Sequence, residues 1–286
     1  TNVFMKILIA TIIAAMTLSV SVSAETITAS KKYVTKSVNV GNFKAITTTS
    51  SVDVEYTPSP VKKVEIYAPD NVIQFVDVNV SGSTLKVGYK SKSRNLNIRG
   101  KYKTVVRVSG PGVTAFTTLS SGDIDIKSAL ETTSKITFTT SSSGDIDATS
   151  VKCATISATT QSSGDIDIDK ATCTKLIATT RSSGDIKIAK ASCTNLIATT
   201  GSSGDIEIDG ITANTVEATT QSSGDIKLNG SCKTAILTTG SSGDIKAGNL
   251  SADSVNASTK SSGDITCKDS GNITKSKSSS GEIRVR

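Results

Sequence analysis

From residue 122 onward, apolar and polar positions alternate in short pairs, and the pairs return about every 20 residues. Take the glycine of each Ser-Ser-Gly-Asp-Ile motif as zero. Apolar or small residues then stand at +2 and +4, +7 and +9, and +12 and +14. After Gly164 these are Ile166 and Ile168, Ala171 and Cys173, Leu176 and Ala178. After Gly184 they are Ile186 and Ile188, Ala191 and Cys193, Leu196 and Ala198. A step of two is the strand period, because successive side chains of a strand point to opposite faces. The three-residue step between pairs marks a corner. The pattern therefore predicts three short strands per coil, and the spacings of three and four that helical repeats need are absent.

The motif glycines are Gly122, Gly144, Gly164, Gly184, Gly204, Gly224, Gly243 and Gly263, with a variant at Gly281-Glu282. So regular a recurrence is the signature of a solenoid. Coils stacked about 4.8 Å apart place equivalent residues in columns. The isoleucines of successive coils then fill one dry interior that no single coil could bury. Parallel strand connections are overwhelmingly right-handed. The expected fold is all-β, a three-sided right-handed parallel β-helix with coils of about 20 residues. Gly at zero is expected to turn a corner with positive φ. The Thr-Thr pairs, such as Thr159-Thr160 and Thr179-Thr180, are expected to form hydroxyl ladders.

Residues 25–121 are less regular. Gly41-Asn42-Phe43, Thr57-Pro58-Ser59-Pro60 and Ser81-Gly82-Ser83 read as turns. Between them Val52 to Tyr56, Val61 to Tyr67 and Leu85 to Tyr89 alternate as strands. Ser50-Ser51-Val52-Asp53-Val54 is a degenerate copy of the later motif. Residues 25–121 are thus expected to be atypical opening coils that cap the regular part, 122–286. A separate small β domain is the alternative. Residues 1–24 read as a secretory signal, with Lys6, an apolar run from Ile7 to Leu18, and Val22-Ser23-Ala24 before the cleavage point. That run is short for a membrane span. An extracytoplasmic chain with no transmembrane segment after cleavage is expected.

Composition narrows the function. Aromatic residues make up 3% of the 286 residues, and Trp and His are absent, which suits thin, repetitive β layers. The net charge of +7 is scattered, with almost no aromatics for base stacking, so no nucleic-acid partner is expected.

Three columns could carry chemistry. At +1 stand Asp123, Asp145, Asp165, Asp185, Asp205, Asp225, Asp244, Asp264 and Glu282. Like charges about 4.8 Å apart repel by roughly 1 kcal/mol even in water, so something must offset them. Backbone N–H groups or Ser hydroxyls at the corner are one answer. A row of bound cations is the other, with Asp145, Asp165, Asp185, Asp205 and Asp225 as the metal candidates. At +3 the outward residues run Asp125, Asp147, Asp167, Lys187, Glu207, Lys227, Lys246, and the alternation in the middle lets neighbouring coils pair. Cys153, Cys173, Cys193 and Cys232 share one inward column, and Cys267 takes an isoleucine position. Replacement of the column's cysteine by Ala213 reads as small core side chains, and a disulfide between neighbours is within reach. No catalytic residue and no cofactor is expected. A polysaccharide lyase or hydrolase acting on acidic glycans is the alternative, but it needs carboxylates with separate roles in an irregular groove.

The opening block carries a resemblance. Asn42-Phe43-Lys44-Ala45-Ile46, Ser51 to Thr57, Ala68-Pro69-Asp70-Asn71-Val72-Ile73 and Val78 to Val87, together with the Ser-Gly-Asp-Ile turns, resemble the head GIN domain family of auto-transporter adhesins, common in secreted Bacteroidetes proteins. The resemblance implies a right-handed β-helix and an adhesive or structural role at the cell envelope, with a glycan or protein ligand at the cell surface. It implies no catalytic residues.

Overall fold

The computed structural model describes residues 26–93 and 96–286. The predicted signal segment lies outside the described residues. Apart from two single-turn 3-10 segments, Ile73–Phe75 and Ser91–Ser93, the regular structure among the described residues is β. It is wound into a solenoid of about nine turns.

One coil shows the rule. Ile166–Ile168 forms one side, and the strand Ala171–Thr180 supplies the other two before the chain returns to Ile186–Ile188. Each side pairs in parallel with the same side of the next coil. Ile166 stacks on Ile186, and Ile186 on Ile206. Leu176 stacks on Leu196 and Ala178 on Ala198. The isoleucines at +2, from Ile124 to Ile265, are fully buried at 0% exposure. Each contributes about 1.5–3 kcal/mol relative to leaving it in water. At the N-terminal end aromatic rings replace part of this aliphatic filling. Tyr56 and Phe116 lie 5.3 Å apart between ring centroids, and Phe116 and Phe138 lie 5.7 Å apart.

The motif glycines have a different reason from the one expected. None of them has positive φ; that conformation belongs to Gly82, Gly100, Gly112, Gly210, Gly230 and Gly271. Instead, a Cβ on Gly164, Gly184, Gly204 or Gly224 would land on the carbonyl oxygen of the glycine one coil earlier. Glycine is needed because backbones of successive coils touch there. The threonine pairs are also corrected. Their second members are buried, and each donates its hydroxyl to a glycine carbonyl of the next coil rather than to another threonine. Thr140 bonds Gly164 at 2.7 Å, Thr160 bonds Gly184 at 2.8 Å and Thr180 bonds Gly204 at 2.9 Å. Glycine and threonine together stitch each corner to the one above it.

The N-terminal part both joins the solenoid and closes it. Ala45–Thr48 and Asp53–Pro58 form a coil in register with the later repeat, Ile46 opposite Phe116 and Val54 opposite Ile124. On their other side they pair with Thr84–Tyr89 and Val105–Gly110. The first coil in the chain is therefore not the first in the stack. Beyond it the strands turn antiparallel: Lys63–Pro69 pairs with Val105–Gly110 and with Tyr33–Ser37. Val76–Ser81 and Thr84–Tyr89 form a hairpin around Gly82, whose φ is +63°. These antiparallel strands cover the parallel edge that would otherwise stand open.

Candidate binding surface

The solenoid presents ordered rows of side chains on its outside. The aspartate row is one of them. Each carboxylate Oδ1 accepts the backbone N–H of the aspartate one coil later. Asp145 N–H bonds Asp123 at 2.9 Å, Asp165 bonds Asp145 at 2.8 Å and Asp185 bonds Asp165 at 2.7 Å. Asp205 bonds Asp185 at 2.8 Å and Asp225 bonds Asp205 at 2.7 Å. The row ends with Glu282 on Asp264 at 2.9 Å. A carboxylate that accepts a backbone N–H offsets part of the repulsion along the row. The five candidates Asp145, Asp165, Asp185, Asp205 and Asp225 thus lie in one line with the same bond. Among the described residues, no group of three or more His, Cys, Asp or Glu side chains is placed to hold a metal ion.

The neighbouring +3 row changes sign along the rod. Asp125, Asp147 and Asp167 stand over one another. Burial pushes the Asp147 carboxyl up to about 6, and its neighbours Asp125, Asp167, Asp145 and Asp123 push the same way. Further along, Lys227 pairs with Glu207. Lys246 reaches Asp225 at 2.6 Å and Arg284 reaches Asp264 at 3.1 Å. The coils do pair through this row; at its acidic end Lys127 reaches Asp125 at 2.8 Å and Arg107 reaches Glu55 at 3.4 Å, and among the described residues Asp147 has no ion pair.

A third face is nearly uncharged. Thr117, Thr139, Thr159, Thr179, Thr199, Thr219 and Thr238 follow one another in register and are continued by Ser258 and Ser276. Two positions before each threonine runs a second outward row, which reads Ser157, Ile177, Ile197, Glu217 and Ile236 in its middle. Ile177 and Ile197 are partly exposed, and Ile236 is 36% exposed. Sequence reasoning passed over these isoleucines. The signal was Leu176-Ile177-Ala178, where three apolar residues in succession break the period of two. The middle one has to point outward.

The cysteines share a column as expected, with Cys153 opposite Cys173 and Cys173 opposite Cys193. Burial along it is uneven. Cys153 and Cys232 are buried, whereas Cys173 and Cys193 are partly exposed, and all five thiols are free. Burial raises the Cys153 and Cys232 thiols to about 11, which keeps them protonated and inert. The two largest clefts lie in the N-terminal part. One of about 660 Å³ is lined by polar groups that include Ser50, Asp77, Lys86 and Tyr102. The other, about 500 Å³, is bounded by Phe43, Pro60, Lys62 and Pro111.

The family description "Putative auto-transporter adhesin, head GIN domain" matches residues 42–209 and 194–286. The chain belongs to this family. Solved structures share its fold. A "putative adhesin" from Bacteroides fragilis NCTC 9343 is 21% identical with a TM-score of 0.54, covering 91% of this chain and 100% of that one. A "putative lipid binding protein" from Parabacteroides distasonis ATCC 8503 is 22% identical with a TM-score of 0.62, covering 92% and 100%. A "putative adhesin" from the same organism is 14% identical with a TM-score of 0.65, again covering 92% and 100%. At these identities the likeness is one of fold. No curated protein matches the chain. Among the described residues, no helix of this head GIN protein is long and apolar enough to cross a membrane.

Proposed function

We propose that this head GIN protein is an adhesin-like, non-enzymatic binding protein of the cell surface or the secreted fraction, and that it holds its ligand along the threonine and isoleucine face. The family supports the adhesive role. The observation that carries the assignment to this face is the unbroken register of outward threonines from Thr117 to Thr238, beside a row in which Ile177, Ile197 and Ile236 are interrupted by Glu217 alone. Such a face offers hydroxyls and methyl groups in alternation on a stiff, flat backbone. It suits an extended ligand with its own polar and apolar sides, a glycan chain above all.

A glycan array followed by calorimetry tests the assignment. Saturable binding to an extended neutral glycan is expected, with Ile197→Lys and Thr199→Lys together abolishing it while the melting temperature holds. Binding that survives both substitutions would remove the ligand from this face.

A further inference from the structure

The charged row at +3 has an internal symmetry that neither the fold nor the adhesive role requires. Read along the rod, it runs Arg107, Glu55, Asp125, Asp147, Asp167, then Lys187 and Glu207, then Lys227, Lys246, Thr266 and Arg284. Reverse that order about the midpoint between Lys187 and Glu207 and every charge from Glu55 to Arg284 except Asp125 meets its opposite, while Arg107 lies beyond the last rung. Lys187 faces Glu207, Asp167 faces Lys227, Asp147 faces Lys246 and Glu55 faces Arg284. Asp125 faces the neutral Thr266.

We propose that two copies of this chain dock face to face along this row, with their solenoid axes antiparallel and a twofold axis between the Lys187 and Glu207 rungs. A twofold interface is self-complementary, so each pairing occurs twice. The rungs from Asp147 to Lys246 span about 24 Å at the spacing of stacked strands. The ribbon is narrow, so the association is of the modest, salt-sensitive kind that charge complementarity gives.

Two further observations favour a second copy as the occupant. Burial raises the Asp147 carboxyl, and the aspartates Asp125, Asp167, Asp145 and Asp123 around it push the same way. The one cation of its own coils nearby, Lys127, is paired with Asp125 at 2.8 Å, and Lys246 of the copy would give Asp147 a partner of its own. The adjacent +1 aspartates come along into the interface, but their Oδ1 atoms are already taken by backbone N–H groups. Lys246 and Arg284 also reach the Oδ2 atoms of Asp225 and Asp264, so these cations would be shared between the two rows. The docking face is distinct from the threonine face, and its test does not depend on the adhesive reading.

Sedimentation equilibrium of the full chain at about 50 mM and about 500 mM NaCl measures the association, which should weaken roughly tenfold or more at the higher salt. Asp147→Lys and Lys246→Asp should each abolish it, since each puts like charges together twice. An equimolar mixture of these two variants should associate again, because Asp147→Lys in one copy then meets Lys246→Asp in the other and both native partners are retained. Far-UV circular dichroism and melting confirm that each variant is folded. A chain that stays monomeric at low salt overturns the proposal. So does association that survives both single reversals, or a mixture that fails to recover it.

Discussion

The acidic and basic halves of the rod share one interior and differ on one outer row. On either side of the Lys187 and Glu207 rungs the same isoleucine column, the same glycine contact and the same threonine bond recur. The +3 row nonetheless changes from Asp125, Asp147 and Asp167 to Lys227, Lys246 and Arg284. In a solenoid the inward positions answer to the coils above and below, so they repeat. The outward positions answer to whatever lies beside the rod, so they are free to vary. A change of sign against so constant a core marks where something other than folding has set the residue type.

Substituting the motif glycine should cost the most and cost alike in both halves. Gly144→Ala and Gly224→Ala should each destabilise by about 3 kcal/mol or more, because the neighbouring backbone cannot move aside. Urea denaturation checks this, and a cost confined to one half would break the equivalence. Ile166→Ala and Ile226→Ala should each lose about 2–5 kcal/mol by the same measurement. Thr140→Val and Thr220→Val should each lose about 1–3 kcal/mol, since the glycine carbonyl loses its buried donor while side-chain volume is kept.

The smallest effect is the one that should differ between the halves. The Asp147 carboxyl lies at about 6 in the folded chain, above its ordinary value. The folded state therefore takes up a proton that the unfolded state does not as pH falls through 6 towards 4. Stability should rise over that window as pH falls, and should be level, at its lower value, above about pH 7. Melting temperatures between pH 5 and pH 7.5 should show this rise, and Asp147→Asn should remove most of it. An unchanged pH profile in that variant would assign the effect elsewhere on the row.

The coil is legible in the sequence because its period is written in side chains that repeat every 20 residues or so. Ile166, Ile186 and Ile206 declare both their direction and their neighbours. The aspartate, charged and cysteine columns follow from the same count. The role of Gly164 does not, because the atom it makes room for belongs to another coil. The place of Ala45–Thr48 in the stack is equally hidden. Alternation tells which side chains face inward, but not that the partners on either side begin at Thr84 and Ala115. Uneven burial of the cysteines depends on how each corner packs and leaves no mark in the spacing.

The placement of that early coil has a consequence for how the chain comes together. Its two neighbours both lie later in the sequence, so a polypeptide emerging N-terminus first cannot complete this end by adding one layer at a time. Residues as far as Ile126 have to be available before Asp53–Pro58 is covered on both sides. Until then the nascent chain keeps an unfinished, pliable end. Once that end closes, each new turn finds a finished platform to settle on.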